Sequence, residues 1–395
     1  MASDLKLPDA SSVDLVLTNP TADERRQIWS QNYPEWGRGL THQSYLDREA
    51  YILDIPMSKN GGLTNWILTT TAAGPRDGPV SEAIPRPILA SCETLKRQVM
   101  LRGEDGVVRD VWGYGIASVF TFKELRGRGY ASRMMAMLHD HLFKLHRESG
   151  DSPCSVLYSD IGNKFYAAHG WLPDRSTFLE FPVKQINATA TNGVDGSVKP
   201  ITEEDVPMLA GLDRDLLRRD LSVHKLEDPH RVCLAFVPSA DLHRWHFQRD
   251  DFYCNYTFSR TPTARGAVYT PPGASQSKVW IFWTRVYNGG VESPEKNVLY
   301  INRFVVEDER ISDAELSKAI LALWGLARKE AVEWQLAKIN MWNPSDRVRR
   351  LVGDIDGLES IYVVREEDSI ASLSWFGEGP TEQVEWVANE RYAWC

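Results

Sequence analysis

Six consecutive residues, Arg126, Gly127, Arg128, Gly129, Tyr130 and Ala131, stand where a β-rich run gives way directly to a helical one. Glycines at such a junction let the backbone come close to a partner. The first amides of a helix have no carbonyl to bond, and the helix dipole adds partial positive charge there. An anion such as a pyrophosphate fits that position, held by backbone N–H groups. Two related motifs are absent: no Gly-x-x-x-x-Gly-Lys-Ser/Thr occurs, and Gly127-x-Gly129 lacks the third glycine of a dinucleotide fingerprint. Taken alone, the same glycines would also suit a plain tight turn.

The segment after the loop has helical periodicity over 129–147, with Ala131, Met134, Met135, Leu138, Leu142 and Leu145 on one face. His139, His141 and His146 lie on or beside this helix without a cysteine pair or a His-Glu-x-x-His spacing, so they read as surface or boundary residues and not as metal ligands. A short apolar strand follows at 155–158. Residues 159–171 then carry Tyr166 on a short helix that Gly170 closes, after which Trp171 resumes the chain. By itself Tyr166 is equally a half-buried aromatic spacer.

The pattern Arg126-x-x-Gly129-x-Ala131 resembles the coenzyme A loop of the GCN5-related N-acetyltransferases. Phe165-Tyr166-x-x-x-Gly170-Trp171 resembles that family's Leu-Tyr-x-x-x-Gly-Phe motif. The resemblance implies that acetyl-CoA, as co-substrate and without a metal, lies against Val119, Phe120, Thr121, Arg126, Gly127, Arg128, Gly129, Tyr130, Ala131 and Ser132. It also implies a Tyr166 hydroxyl near the sulfur. An amine attacking a thioester expels a thiolate, which a phenol in reach can protonate. Ser159 stands where many members have asparagine, seven residues before the tyrosine.

The composition suits a soluble enzyme: apolar residues make up 43% of 395, with 14 Trp and 14 Tyr to line pockets. A net charge of −9 and the lack of a basic run argue against nucleic acid as a partner. An acidic protein suits a cationic amine. Five scattered cysteines make neither a disulfide framework nor a zinc pattern, which fits a reducing compartment. Residues 1–14 lack a charged-then-apolar signal, and the longest apolar stretch, 319–327, is too short to span a bilayer. Asn187 and Asn255 sit in chance glycosylation sequons. The expected address is the cytoplasm, away from membranes; oligomeric state is not legible.

A helix is expected from Asp23, broken by the run Tyr33-Pro34-Glu35-Trp36-Gly37, and a second over 41–51. Strands are expected at 65–71, 88–101 and 108–122, with a Pro/Gly loop at 74–87. Residues 186–199 are small, polar and aperiodic, which reads as a linker between domains at 1–185 and 200–395. The second half repeats the order of the first: strand 297–306, helix 312–329 capped by a Ser312/Glu315 box, strand 338–342. Its turn, Glu307 to Ile311, has carboxylates where phosphates would sit. The fold class is thus α/β (α+β), a mixed acetyltransferase sheet flanked by helices and followed by a second α+β domain. That domain is either a degenerate copy of the first or an unrelated unit.

Residues 35–48, 62–66, 87–94 and 117–135, with 244–252 and 280–285 in the second half, resemble the fungal L-lysine 6-N-acetyltransferases. The resemblance implies acetylation of the side-chain amine of free L-lysine in lysine catabolism. Another small amine, a protein lysine, or a catalytically silent coenzyme A module are the alternatives. A lysine amine near pKa 10.4 is only about one part in a few thousand neutral at pH 7, so the site must remove a proton. Glu93, on strand 88–101 and facing away from Cys92 and Thr94, is the candidate base, or else a solvated strand carboxylate. A free amino acid also calls for an arginine fork on its carboxylate. Arg285 and Arg303, on aromatic strands, are the candidates, unless each is a structural ion pair.

Overall fold

A computed structural model describes residues 7–71, 86–183, 197–227, 230–272 and 277–395. Residues 74–85 of the expected loop and most of the expected linker, Asn187 included, lie outside the described residues. In chain order the strands are β1 (Leu15–Thr18), β2 (Leu63–Thr70), β3 (Ala90–Arg102), β4 (Val108–Phe120), β5 (Cys154–Ser159), β6 (Leu172–Pro173), β7 (Thr177–Pro182) and β8 (Val198–Ile201). They continue as β9 (Val232–Phe236), β10 (Gly266–Tyr269), β11 (Val279–Val286), β12 (Val298–Val306), β13 (Lys338–Trp342), β14 (Ile361–Val364), β15 (Ile370–Trp375) and β16 (Val384–Trp386). The helices are α1 (Ala22–Trp36), α2 (His42–Asp54), α3 (Tyr130–Ser149), α4 (Lys164–Ala167), α5 (Val206–Val223), α6 (Ala240–Phe258), α7 (Asp313–Glu333) and α8 (Asp346–Asp354).

Capping fixes where the first helices begin. Thr21 accepts from the Glu24 amide at 3.3 Å, while the Glu24 carboxylate accepts from the Thr21 amide at 2.7 Å. Pro34 does not break α1 as expected. It sits in the last turn, where its ring removes one hydrogen bond, and the helix runs on to Gly37, whose amide reaches the Tyr33 carbonyl at 2.8 Å. On α3 the buried face is Met134, Met135, Leu138 and Leu142, packed with Ile67, Leu68 and Trp171. Each of these four side chains contributes about 1.5–3 kcal/mol by leaving water.

The strands form two mixed sheets. The nine-stranded sheet runs β1-β2-β3-β4-β5-β15-β6, with β9 on the far half of β3 and β16 beside β9. The seven-stranded sheet runs β14-β7-β13-β12-β11-β10-β8. A parallel strand–helix–strand unit lies in each: β4–α3–β5 in the first and β12–α7–β13 in the second. Both units carry a bulge before the helix. Ser118 and Val119 together oppose Cys92 in the first, and Asn302 is the extra residue in the second. Both parallel pairs also end after four residues, at Ile116–Leu157 and Ile301–Met341. The repeat extends from element order to register, which favours a second copy over an unrelated unit.

The sheets do not divide where the linker was expected. Strand β7, before the linker, pairs with β13 and β14 in the second sheet. Strand β15, near the end of the chain, lies between β5 and β6 of the first sheet. Val198 and Lys199, read as linker, begin β8. Local composition reports polarity and chain flexibility, not which sheet a strand joins. The Ser312/Glu315 box is also only half formed. Ser312 accepts from the Glu315 amide at 3.2 Å, but the Glu315 carboxylate accepts instead from the Tyr269 hydroxyl at 2.6 Å.

Candidate active site

The Arg/Gly loop joins the bulged end of β4 to α3. Gly127 and Gly129 have φ of 78° and 82°, the left-handed region that glycine enters freely. Gly129 is the N-terminal cap of α3 and offers no side-chain acceptor to the first turn. The amides of residues 127–132 bond no carbonyl among the described residues, and 126–129 are exposed. Such a donor set fits a diphosphate. Arg126 lies over the Phe120 ring at 5.4 Å and donates from Nε to the Thr121 carbonyl at 3.1 Å. Tyr130 is buried, with its hydroxyl donating to the Pro8 carbonyl at 2.6 Å, so it offers only its backbone to the loop. The Phe120 ring is likewise buried, against Trp36 and Phe122. Ser132 Oγ pairs with His169 Nε2 at 2.7 Å.

Where β4 and β5 part beyond Ile116 and Leu157, the sheet opens into a wedge with Val119, Phe120 and Thr121 on one arm. Tyr166 follows the other arm, on α4, which Gly170 closes at φ 95° while the Trp171 amide bonds the Tyr166 carbonyl at 3.1 Å. The Tyr166 side chain is buried, and its hydroxyl has no hydrogen-bond partner among the described residues. Burial pushes this phenol well above its ordinary range, so it is protonated at neutral pH and available as a donor. Ser159 donates to the Gly162 carbonyl at 2.6 Å, closing the turn ahead of α4.

Glu93 lies across the bulge. Its Oε1 accepts from Asn65 Nδ2 at 2.7 Å and its Oε2 from Ser118 Oγ at 2.8 Å. Ser118 reaches it because the bulge holds that residue at φ 52°. Glu93 is half-buried and held by two donors, unlike a freely solvated strand carboxylate. Burial, helped by the nearby Glu49 carboxylate, pushes it up to about 7 against the opposing pull of the two hydrogen bonds and of Arg249. Trp29, Asn32, Asn65 and Ser118 line a small cavity with it, and the buried Asn32 Oδ1 is unpartnered there. A carboxylate poised near neutrality, with its lone pairs oriented by two donors, is suited to general-base work.

Arg285 and Arg303 are not brought to this site as open forks. Arg285 is wholly enclosed, with Nη1 donating to Asp250 at 2.7 Å and Nη2 to Glu330. Arg303 meets Asp213 through Nε at 2.9 Å and Nη2 at 2.7 Å, and Glu390 through Nη1. Strand position suggested them, but carboxylates on α5, α6, α7 and the residue 390 segment occupy their donors. The arginine whose charge reaches Glu93 is Arg249 on α6. It was legible only as part of the run 244–252, with no local sign separating it from its neighbours. His139 and His141 make ring contacts to Trp171 and Trp66.

A splayed mixed sheet, an amide-lined loop at a helix N-terminus and a buried phenol define an acetyltransferase of the GCN5-related class. Residues 179–395 match the family described as the LYC1 GNAT-like C-terminal domain, more than half of the chain, and the protein belongs to that family. It is 28% identical over 381 residues to a lysine acetyltransferase of Yarrowia lipolytica, covering 87% of this chain and 86% of the relative. It is 24% identical over 425 residues to the uncharacterized protein YGR111W of Saccharomyces cerevisiae, covering 98% and 99%. Similar solved structures include a GCN5-related N-acetyltransferase from Kribbella flavida (16% identity, TM-score 0.48, 91% of this chain and 70% of that one). A conserved protein of Enterococcus faecalis shares the fold at 11% identity and a TM-score of 0.51, over 92% and 73%.

Proposed function

We propose that the protein moves the acetyl group of acetyl-CoA to the side-chain amine of free L-lysine. The observation that carries the reading is a base poised near 7, Glu93 held by Ser118 at the β4 bulge, together with a neutral phenol, Tyr166, on the helix that follows β5. In this reading the amides of Gly127 to Ser132 hold the diphosphate, and Val119 to Thr121 guide the thioester arm along the wedge. Glu93 takes a proton from the acceptor ammonium, directly or through a water at the Asn32 cavity, freeing the lone pair for attack. Tyr166 donates its proton to the departing thiolate. The similarity to a lysine acetyltransferase over most of both chains supports lysine among small amines. All five cysteines are free thiols, which suits a cytoplasmic address, and no described helix is long and apolar enough to cross a membrane.

Acetyl transfer by the purified full chain, measured against L-lysine, L-ornithine, spermidine and a lysine-bearing peptide, tests the reading. L-Lysine should give the highest kcat/KM. A higher value for the peptide or spermidine would replace free lysine as the acceptor. No transfer to any amine, with coenzyme A still bound, would make the protein a silent binding module.

A further inference from the structure

Arg249 is the basic group of this site whose role the reaction leaves unexplained. Its guanidinium lies 4.8 Å from the centre of the Trp245 ring and 5.0 Å from that of Trp394. It has no hydrogen bond or ion pair among the described residues. Three other arginines of the second half's interior meet carboxylates. Arg265 forks onto Asp251 at 2.6 and 2.7 Å, Arg285 meets two carboxylates, and so does Arg303. Arg48, which also lies close to Arg249, is held by its neighbour Glu49 through Nε at 3.0 Å.

A guanidinium has five donors and keeps its charge, so one clamped between two indoles without an acceptor is prepared for an anion not supplied by the chain. Contact with two indoles holds the fork in place while its N–H groups stay without a protein acceptor, and a carboxylate matches such a fork. Arg391 also lies over the Trp394 ring, at 3.8 Å, and its Nε and Nη1 are buried and unpartnered. The two cations disfavour each other, and burial disfavours both. An arriving anion relieves that cost. Glu93 and Glu49 are close enough to feel its charge, and Trp245 and Trp394 pack with Leu95 and Ala117, the neighbours of Glu93 along and across the strands.

We infer that Arg249 binds the α-carboxylate of the acceptor, making the acceptor a free amino acid with its reacting amine at the Glu93 end. The inference rests on the acceptor reading above and adds what selects it: a polyamine has no carboxylate, and in a protein lysine that group is an amide. Arg249 is thereby a specificity-determining residue, one that binds the acceptor without taking part in proton transfer.

The test compares L-lysine with L-lysinamide, which differs by the loss of the carboxylate charge, in the wild type and in Arg249→Gln and Arg249→Lys. The wild type should favour lysine by about 100-fold in kcat/KM, the scale set by a lost charged contact. Arg249→Gln should bring that ratio to within about three-fold of one, and Arg249→Lys should fall between. The KM for acetyl-CoA, reading the folded cofactor loop, should stay within about two-fold in all three. An equal loss on both acceptors in Arg249→Gln would make Arg249 a structural cation and overturn the inference alone. A wild type that turns over lysinamide as well as lysine also overturns it. A wild type active on other amines but inert toward lysine overturns the acceptor reading, and this inference with it.

Discussion

The Ser118 hydroxyl donates to Glu93 Oε2 at 2.8 Å across the bulge of β4, so the irregularity of one strand orients the carboxylate of the next. That bond favours the charged carboxylate and opposes the burial that raises it. With Glu93 as base, kcat/KM should fall about ten-fold per pH unit below an apparent pKa of about 7. Removing the donor in Ser118→Ala should move this limb to higher pH, and Glu93→Gln should abolish it. A profile in Ser118→Ala that moves to lower pH, or an unchanged limb in Glu93→Gln, would show that another group titrates.

The same shift bears on stability. The folded-state pKa of Glu93 is raised from 4.5 to about 7, so the native state binds its proton more tightly than the unfolded chain does. Its favourable contribution is complete below pH 4.5 and is lost as pH rises through about 7. Glu93→Gln should therefore unfold at higher urea than the wild type at pH 8.5, with the difference shrinking toward pH 4. A gap that widens on acidification would show that ionised Glu93 stabilises the fold.

Tyr166→Phe removes one oxygen from a buried ring that packs edge-on against Phe165. With the ring volume kept, acetyl-CoA affinity should stay near wild type, while kcat should fall by about 10²–10⁴-fold, the range for a lost general acid. Full activity in this variant would leave Tyr166 an aromatic spacer.

Gly129→Asp tests the loop. At φ 82° any side chain is strained, and a Cβ there would stand 3.2 Å from that of Ala10, with a carboxylate among the free amides. Calorimetry should show acetyl-CoA binding lost while thermal unfolding remains cooperative. Unchanged affinity would return both glycines to a plain turn.

How much of this was written locally differs from residue to residue. Gly127, Gly129 and the α3 stripe were legible because a left-handed turn and a 3.6-residue period are properties of neighbouring residues. Glu93 was legible as one side of an alternating strand, but its raised pKa depends on Glu49 and on enclosure by α1, which no local pattern encodes. Arg285 and Arg303 were selected for lying on aromatic strands, yet their partners Asp250 and Asp213 come from α6 and α5. Arg249 shows the converse. Its residue type was in plain view, and what sets it apart is the missing partner and the indole of Trp394, far away in the chain.

Arg285 carries a stability prediction that separates it from the site. Its side chain is fully enclosed between Asp250 and Glu330, so Arg285→Ala leaves two carboxylates without their cation. Breaking a buried pair from one side costs about 3–5 kcal/mol. The urea midpoint should drop accordingly, while the KM for lysine of the protein that remains folded should hold. A large rise in KM at unchanged stability would return Arg285 to the acceptor site.

The exchange of strands between the two sheets decides what a fragment can do. Both cofactor motifs lie before residue 172, so by sequence alone residues 1–199 are expected to bind coenzyme A. In the fold, β15 supplies the strand between β5 and β6, pairing Ile370 through Trp375 with Ser159 through Cys154. Without it, β5 loses its partner just where it leads into the Tyr166 turn, and the apolar face of Val156 loses its contact with Leu373. The far half of β3 loses β9 as well, and β7 is left with no sheet to join. Residues 1–199 should therefore show no cooperative urea transition and no acetyl-CoA binding, and supplying residues 200–395 in trans should restore both in part. A fragment that unfolds cooperatively and binds acetyl-CoA as the full chain does would show that the exchanged strands are dispensable to the cofactor half.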